Sequence, residues 1–421
     1  MQYAPPPPNS DLGQPITPRE FAEIIDECID QPQWRATADK EADYADGNQL
    51  DSELLRRQKA MGIPPAKENI IGPAISAVCG YEAKTRTDWR VTPDGNPDGQ
   101  DVADALNFRL NQAERYSRAD RAMSEAFKPM AAVGLGWVEV ARESDPFGYP
   151  YRCRYVHRNE IYWDMRAREP DLSDARWLLR ERFIQASRAA AAFPKHADLI
   201  RNARSVHSMG AYAPELLEGG VSTGLQSSAD SARAWTTREY TWYRSTSDEV
   251  CIVELWYRRW VQTMVLKTKT GRVVEFDESN ANHLAVVEAG LGQLLRATVA
   301  RIRRSYWMGP VMLHDEPTPY PHPHFPYVAF WGYKEDMTGV PFGLVRDMIF
   351  PQDNLNSTLA RLRWGMMATR TERTKGAVAM ADDVFRRQVG RVDADIVLDA
   401  DNMARPGARF EVKRDFQLNA Q

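Results

Sequence analysis

Between Gln100 and Met130 the apolar residues Val102, Leu106, Leu110, Ala113, Ala122, Ala126 and Met130 recur near helical spacing, with charged residues between them. A stripe of this kind predicts a long amphipathic helix with one face that needs cover. Gly134-Leu135-Gly136 ends the pattern and opens a β-type run, Trp137–Arg142. A turn at Asp145-Pro146-Phe147-Gly148 leads to a second strand, Tyr151–Val156, and Trp177–Phe183 reads as a third. A helix that runs into antiparallel strands gives an α+β arrangement, with helices packed on a sheet.

The rest of the chain fits that class. Residues 1–16 are proline-rich and read as a disordered arm, because polyproline supplies neither helix nor sheet core. Thr17-Pro18-Arg19-Glu20 is a helix start, with Thr17 as N-cap and Glu20 as its capping-box partner. That helix is expected to run to about Ala45, broken near Pro32. Shorter helices follow over Ser52–Met61 and Ala66–Lys84, the latter with Ile70, Ile71, Ile75, Val78 and Cys79 as its apolar face. Residues 203–235 are rich in Ala, Ser and Gly and read as a mobile loop. β-type runs then come at Glu239–Tyr243, Val250–Trp260, Thr263–Lys269 and Arg272–Phe276, with a hairpin at Lys269-Thr270-Gly271-Arg272. Residues 283–296 look helical, and Arg301–Trp307 with Gly309–Leu313 form another hairpin. This section reads as a small separate α/β domain, left through the stiff segment Pro317–Pro326. Leu344–Thr369 reads as a long helix kinked at Pro351, with Leu355, Leu359, Leu362 and Met366 on one face. The chain ends in a strand, Ala408–Arg414, with no capping element.

Composition removes several function classes. The net charge is only −4, from 54 Lys and Arg against 58 Asp and Glu. A protein that coats DNA carries a basic face, whereas a conduit that lets DNA slide is hampered by a sticky lining. The four cysteines, Cys28, Cys79, Cys153 and Cys251, are far apart and lack zinc spacing, so they read as reduced thiols made in a cytoplasm. No signal peptide is visible and no apolar run reaches the ~18 residues of a membrane span. Twelve Trp and sixteen Tyr hint at assembly, since large aromatics favour interfaces as well as cores.

Few residues offer chemistry. His322 and His324 alternate on an extended segment and share a side, but no third ligand at fixed spacing accompanies them. Asp164, Glu169, Asp171 and Asp174 crowd one turn region. They suit either a metal-dependent nuclease or, more simply, a solvated loop. There is no phosphate-binding glycine loop and no nucleophile elbow. Two basic groups stand out. Arg361, Arg363, Arg370, Arg373 and Lys375 fit either transient DNA phosphate contact or a solvated helix face. Arg301, Arg303 and Arg304 fit either an acidic partner or DNA, or simply a solvated face with ion pairs, and alternation puts Arg301 and Arg303 on one strand face. Trp242, Trp256 and Trp260 fit either core burial or anchors of a subunit interface; Trp256 and Trp260 share strand parity.

Three stretches carry a family resemblance. The first is Trp34–Asp46 with Gly47-Asn48-Gln49, then Glu68-Asn69-Ile70-Ile71 running to Gly80. The second is Ala126–Trp137 with Ile161-Tyr162-Trp163-Asp164 and Asp174-Ala175-Arg176-Trp177. The third and most specific is Phe325-Pro326-Tyr327-Val328, then Gly339-Val340-Pro341-Phe342-Gly343-Leu344-Val345-Arg346-Asp347, Pro351-Gln352-Asp353 and Asn356. Phe350 stands where the family often has Asp. In this order they resemble the portal proteins of short-tailed phages that package by the headful.

The resemblance implies a twelve-subunit homo-oligomeric ring in the virion, at the capsid's portal vertex, around a channel for double-stranded DNA. It implies no catalysis and no cofactor or metal. It divides the chain into a wing at 17–235, a clip at 236–335, a stem and channel region at 336–376, and a return to the wing with the start of a crown at 377–421. By the same resemblance, the crown or barrel of relatives would be missing or truncated here. The clip would meet the terminase large subunit and later the tail or head-completion adaptor, through Arg301, Arg303 and Arg304. Arg361, Arg363, Arg370, Arg373 and Lys375 would lie near the channel. The major capsid and scaffolding proteins would be further partners, and no membrane is involved. The competing readings are the metal-dependent nuclease and another tail or adaptor component.

Overall fold

The computed structural model describes residues 11–50, 52–60, 67–85, 89–93, 99–143, 145–202, 243–244, 247–269, 271–367, 370–389 and 395–413. In chain order the helices are α1 Pro18–Ile29, α2 Trp34–Ala45, α3 Ser52–Ala60, α4 Ile71–Lys84, α5 Gln100–Ser117 and α6 Ala119–Val133. After these come α7 Ala186–Ala192, α8 Ala197–Arg201, α9 Ala281–Glu288, α10 Val345–Met367, α11 Asp382–Val389 and α12 Ala400–Met403. The strands begin with β1 Leu135–Arg142, β2 Tyr151–Val156, β3 Ile161–Trp163, β4 Trp177–Gln185, β5 Tyr243–Arg244, β6 Glu249–Thr268 and β7 Val273–Glu275. They continue with β8 Gly292–Met308, β9 Val311–Pro317, β10 Tyr327–Trp331, β11 Tyr333–Lys334, β12 Pro341–Phe342, β13 Arg370–Arg373 and β14 Phe410–Lys413. The α+β class is as expected. Residues 1–37 with 82–343 form one compact unit, and 38–81 with 344–421 form a second.

The capping box works as the sequence indicates. Thr17 accepts the Glu20 N–H through its hydroxyl, and Glu20 returns a carboxylate to the Thr17 N–H at 2.8 Å. The expected break near Pro32 separates α1 from α2. The long amphipathic stretch is two helices, not one. Arg118 sits between them at φ 60 and serves as C-cap of α5 and N-cap of α6. The two halves then differ in role. Ala122 and Ala126 of α6 are buried against β1 and β2, while Val102, Leu106 and Leu110 of α5 are exposed.

A large antiparallel sheet in order β3-β4-β6-β8-β9 forms the centre of the first unit. Strand β6 spans 20 residues, merging two runs that the sequence suggested separately. Its first half pairs with β4 from Trp177↔Tyr257 to Gln185↔Glu249. The division expected at residues 235/236 therefore does not separate two sheets: this ladder runs across it, and the separate small domain is not observed. Only the far part of the hairpin, Trp260–Thr268 against Gly292–Ala300, extends past β4. The helix expected at 283–296 is another correction. Gly290 at φ +64 follows the end of α9, and Gly292 onward is claimed by the β6 ladder.

The core under this sheet explains the tryptophan richness. Phe21 stacks on Trp307 at 4.1 Å, within a cluster of Ile25, Trp177, Leu179, Leu255 and Tyr257. Trp331 packs edge to face on Trp137 and Trp163, which are tilted on each other, and Trp34 joins them with the Arg35 guanidinium over its own ring. Buried indoles that donate find local acceptors, Glu27 for Trp177, Glu254 for Trp256 and Ser305 for Trp307. Trp34, Trp137, Trp163, Trp177, Trp256 and Trp307 are thus core within one subunit. Of the cysteines, Cys28 and Cys251 are buried, and none of the four is in a disulfide.

A second, three-stranded sheet in order β10-β1-β2 lies under α6. Backbones approach closely here. A Cβ on Gly136 would stand 2.0 Å from the Ala126 carbonyl oxygen, and one on Gly343 would stand 2.2 Å from that of Ala132. The glycines that the sequence reading took as punctuation are contact points between α6, β1 and the strand before α10.

Candidate functional site

The second unit holds the feature that best accounts for the motif residues. Apolar spacing on helix α10 puts Leu355, Leu359, Leu362 and Met366 on one face. Leu355, Leu359 and Leu362 are only half-buried, whereas Gln352, Asn356 and Ala360, spaced by four, are buried, Gln352 fully. The inward face of this helix near its start is therefore made of side-chain amides.

Those amides close a network with the segment before α4. Gln352 Nε2 donates to the Glu68 carbonyl at 2.6 Å, and its Oε1 accepts the Ile70 N–H at 3.2 Å. Asn356 Oδ1 accepts the Glu68 N–H at 3.1 Å, and its Nδ2 donates to Gln49 Oε1 at 2.8 Å. Gln49 donates in turn to Asn69 and to the Tyr44 carbonyl, while Asn69 donates to the Ala45 carbonyl and accepts the Gly72 N–H. Gly47 takes φ +87, a left-handed conformation that glycine adopts freely, and the Lys67 ammonium donates to its carbonyl. Tyr44 donates its hydroxyl to Asp353 at 2.9 Å; burial, then that carboxylate, pushes its pKa up to about 12. Arg346 pairs with buried Glu41.

The residues quoted as Gly47-Asn48-Gln49, Glu68-Asn69-Ile70, Gln352-Asp353 and Asn356 are far apart in sequence and converge here. Every buried amide in this network has at least one partner, the condition under which a polar core specifies one geometry. What the arrangement can do is mechanical: it holds the first turns of α10 at a fixed rotation on the loop that carries Gln49. Pro351 inside α10 leaves the Asp347 carbonyl without its helical donor.

The basic candidates separate. Arg361 and Arg363 are exposed on α10, and Lys375 is exposed just after β13. Arg370 lies on β13. Arg373 is engaged: it pairs with Asp382 and lies over the Phe385 ring at 4.2 Å. In the other group the expected alternation holds, but the guanidiniums are internal. Arg301 is buried and paired with Glu275. Arg303 is buried between Asp315, Tyr257 and the Gly13 carbonyl. Arg304 pairs with Glu316 and lies over Trp256 and Tyr306. Arg301 ties β8 to β7, Arg303 and Arg304 tie it to β6 and β9, and the three do not form an open basic patch within the subunit.

Trp256 is buried under Tyr320, whereas Trp260, on the same strand face, is 56% exposed because it lies beyond that cover. Trp242 lies outside the described residues, as does the expected mobile loop at 203–235.

The crowded carboxylates serve the backbone. Asp164 is buried; burial pushes its pKa up, but Arg176 at 2.7 Å and the N–H groups of Arg166 and Arg176 more than offset this and leave it below the usual carboxylate range. Asp174 accepts the Arg168 and Glu169 N–H groups, and Asp171 accepts that of Ser173. His322 and His324 lie side by side with ring centres 6.0 Å apart, and His322 stacks on Tyr320. Among the described residues no cluster of three or more His, Cys, Asp or Glu is arranged to hold a metal ion, and no helix is long and apolar enough to cross a membrane.

The amide network was missed by apolar periodicity, which follows leucines. The signal that finds it is the family motif, whose polar letters cluster at turns and at one helix face. A search of curated proteins finds no match. The family model described as phage P22-like portal protein matches residues 22–421. The chain belongs to the phage P22-like portal protein family.

Proposed function

We propose that this chain forms a closed homo-oligomeric ring, of twelve copies, at one vertex of the capsid, and that double-stranded DNA enters and leaves the head through it. The observation that carries the reading is the family match over nearly the whole chain, together with the convergence of its motif residues on the root of α10. A portal does geometric work and no bond chemistry. Its ring needs a heterologous interface, in which one patch of each subunit meets a different patch of the next. Trp260 is the exposed anchor for such a contact.

In this reading α10 is the channel-side helix, with Arg361, Arg363 and Lys375 as sparse phosphate contacts. A few cations in a near-neutral chain give weak, salt-sensitive attraction, which permits sliding. The part of the β6–β8 hairpin beyond β4 is the clip, the place where the terminase large subunit and later the tail adaptor dock. Because Arg301 and Arg303 are used internally, that docking rests on other groups of the lobe.

Complementation of the encoding phage tests the role. With its portal gene deleted and this chain supplied in trans, DNA-filled heads are expected. Arg361→Glu combined with Lys375→Glu should leave heads assembled but reduce packaged DNA several-fold. Filled heads at full yield without the chain would overturn the reading.

A further inference from the structure

Residues 11–16 lie on the sheet of the first unit in extended form without joining it as a strand. Side chains of β6 and β8 hold their backbone. Arg303 Nη1 donates to the Gly13 carbonyl at 3.3 Å, Arg259 Nε to the Gln14 carbonyl at 3.2 Å and Arg259 Nη2 to the Pro15 carbonyl at 3.4 Å. The Ile16 N–H donates to the Tyr257 hydroxyl at 3.0 Å, and the Ile16 side chain is buried in the cluster that holds Tyr257 and Trp307. Gly13 takes φ +78, and a Cβ there would stand 2.7 Å from the Arg259 Cβ and 3.3 Å from the Val261 Cγ1. The segment thus presses bare backbone onto β6 at a spot with no room for a side chain.

Its place on β6 is what matters. Strand β6 loses its β4 neighbour after Tyr257. Arg259 and Val261, the residues under Gly13, come next on the same face of the strand, and Val261 is buried. Beyond them the distal lobe, Thr263–Thr268 paired with Gly292–Ala297, exposes Met264, Leu294 and Leu295. An element with few buried contacts is the first to open locally. The groups that grip the segment are themselves fixed. Arg259 makes two 2.8 Å bonds to the Glu20 carboxylate of α1, and Arg303 and Tyr257 share Asp315 of β9. The segment therefore fastens the root of the lobe to α1 and β9 at the point where the lobe leaves the main sheet.

We propose that residues 13–16 are a latch that holds the distal β6–β8 lobe closed, and that on its release the lobe opens locally as a unit separate from the rest of the sheet. The proposal concerns the lobe's own stability and stands whether or not a partner docks there or a ring forms.

Hydrogen–deuterium exchange of the full chain, read by mass spectrometry, tests it. Peptides covering 261–268 and 292–300 report the lobe; those covering 177–185 and 249–255 report the main sheet. Gly13→Ala lifts the latch from its own side and leaves every lobe residue native. Arg259→Lys keeps a cation opposite Glu20 but loses the fork that grips two carbonyls. Both variants should speed exchange in the lobe at least about fivefold and leave the main sheet unchanged. Unchanged lobe exchange in either variant would overturn the proposal. Equal acceleration in the lobe and the main sheet would overturn it as well, because the segment would then be an ordinary part of the core.

Discussion

Gln352 and Asn356, rather than the leucines of α10, are its buried residues near the helix start, and they are satisfied there by backbone groups of the Glu68–Ile70 segment. Removing Gln352 leaves the Glu68 carbonyl and the Ile70 N–H without this partner at a part-buried site. Gln352→Leu should therefore cost about 2 kcal/mol, from two groups each at the low end of about 1–3 kcal/mol because water reaches the Glu68–Ile70 segment. Chemical denaturation of the purified chain measures it, and a change within error of zero would show that the network carries no stability. A second residue-scale prediction concerns acid. The Arg259 guanidinium beside Glu20, with help from Thr17, lowers its pKa from 4.5 to about 2. A depressed carboxylate contributes stability above its unfolded pKa and loses it as pH falls through the folded one. The melting-temperature gap between the wild type and Glu20→Gln should be full above pH 4.5 and close towards pH 2. The capping box was legible because Thr-Pro-x-Glu is local chemistry. The pairing of Glu20 with Arg259 was not, because it depends on a fold that brings distant strands to α1.

At the scale of elements, boundaries set by strong local signals were readable and those set by competition were not. The break near Pro32, the turn at Pro146-Phe147-Gly148 and the extent of α10 were all visible in the sequence. The single-helix reading of Gln100–Met130 failed at Arg118, whose left-handed backbone no side-chain pattern announces. Residues 292–296 went to the sheet because the sixteen-position β6–β8 ladder outweighs a local helical pattern. The glycines at 134, 136 and 343 mark close backbone approach. Gly136→Ala would place a methyl 2.0 Å from the Ala126 carbonyl oxygen and force α6 off β1. A loss of about 1–3 kcal/mol or more is expected for such overpacking. Gly80→Ala, which meets nothing within 4 Å, is the matched control and should be neutral or slightly stabilising. Equal melting temperatures for Gly136→Ala and Gly80→Ala would refute this account of the α6–β1 contact.

For the whole molecule, the α+β class and the family were within reach of the sequence, while the partition into units was not. A sheet that joins residues 161–185 with 249–317 cannot be inferred from linkers or composition, because the pairing crosses them. The partly exposed apolar residues of the distal hairpin, Trp260, Met264, Leu294 and Leu295, are the surface that a ring would cover. Trp260→Ala should lower the fraction of assembled rings several-fold at fixed concentration and leave the subunit's own melting temperature within a degree or so, since an exposed side chain contributes little to the folded subunit. The most direct test of the account is mass photometry combined with negative-stain imaging of the purified full chain at micromolar concentration. Closed rings with a central hole and a mass near twelve subunits are predicted; particles of one or two chains, or open-ended filaments, would contradict it.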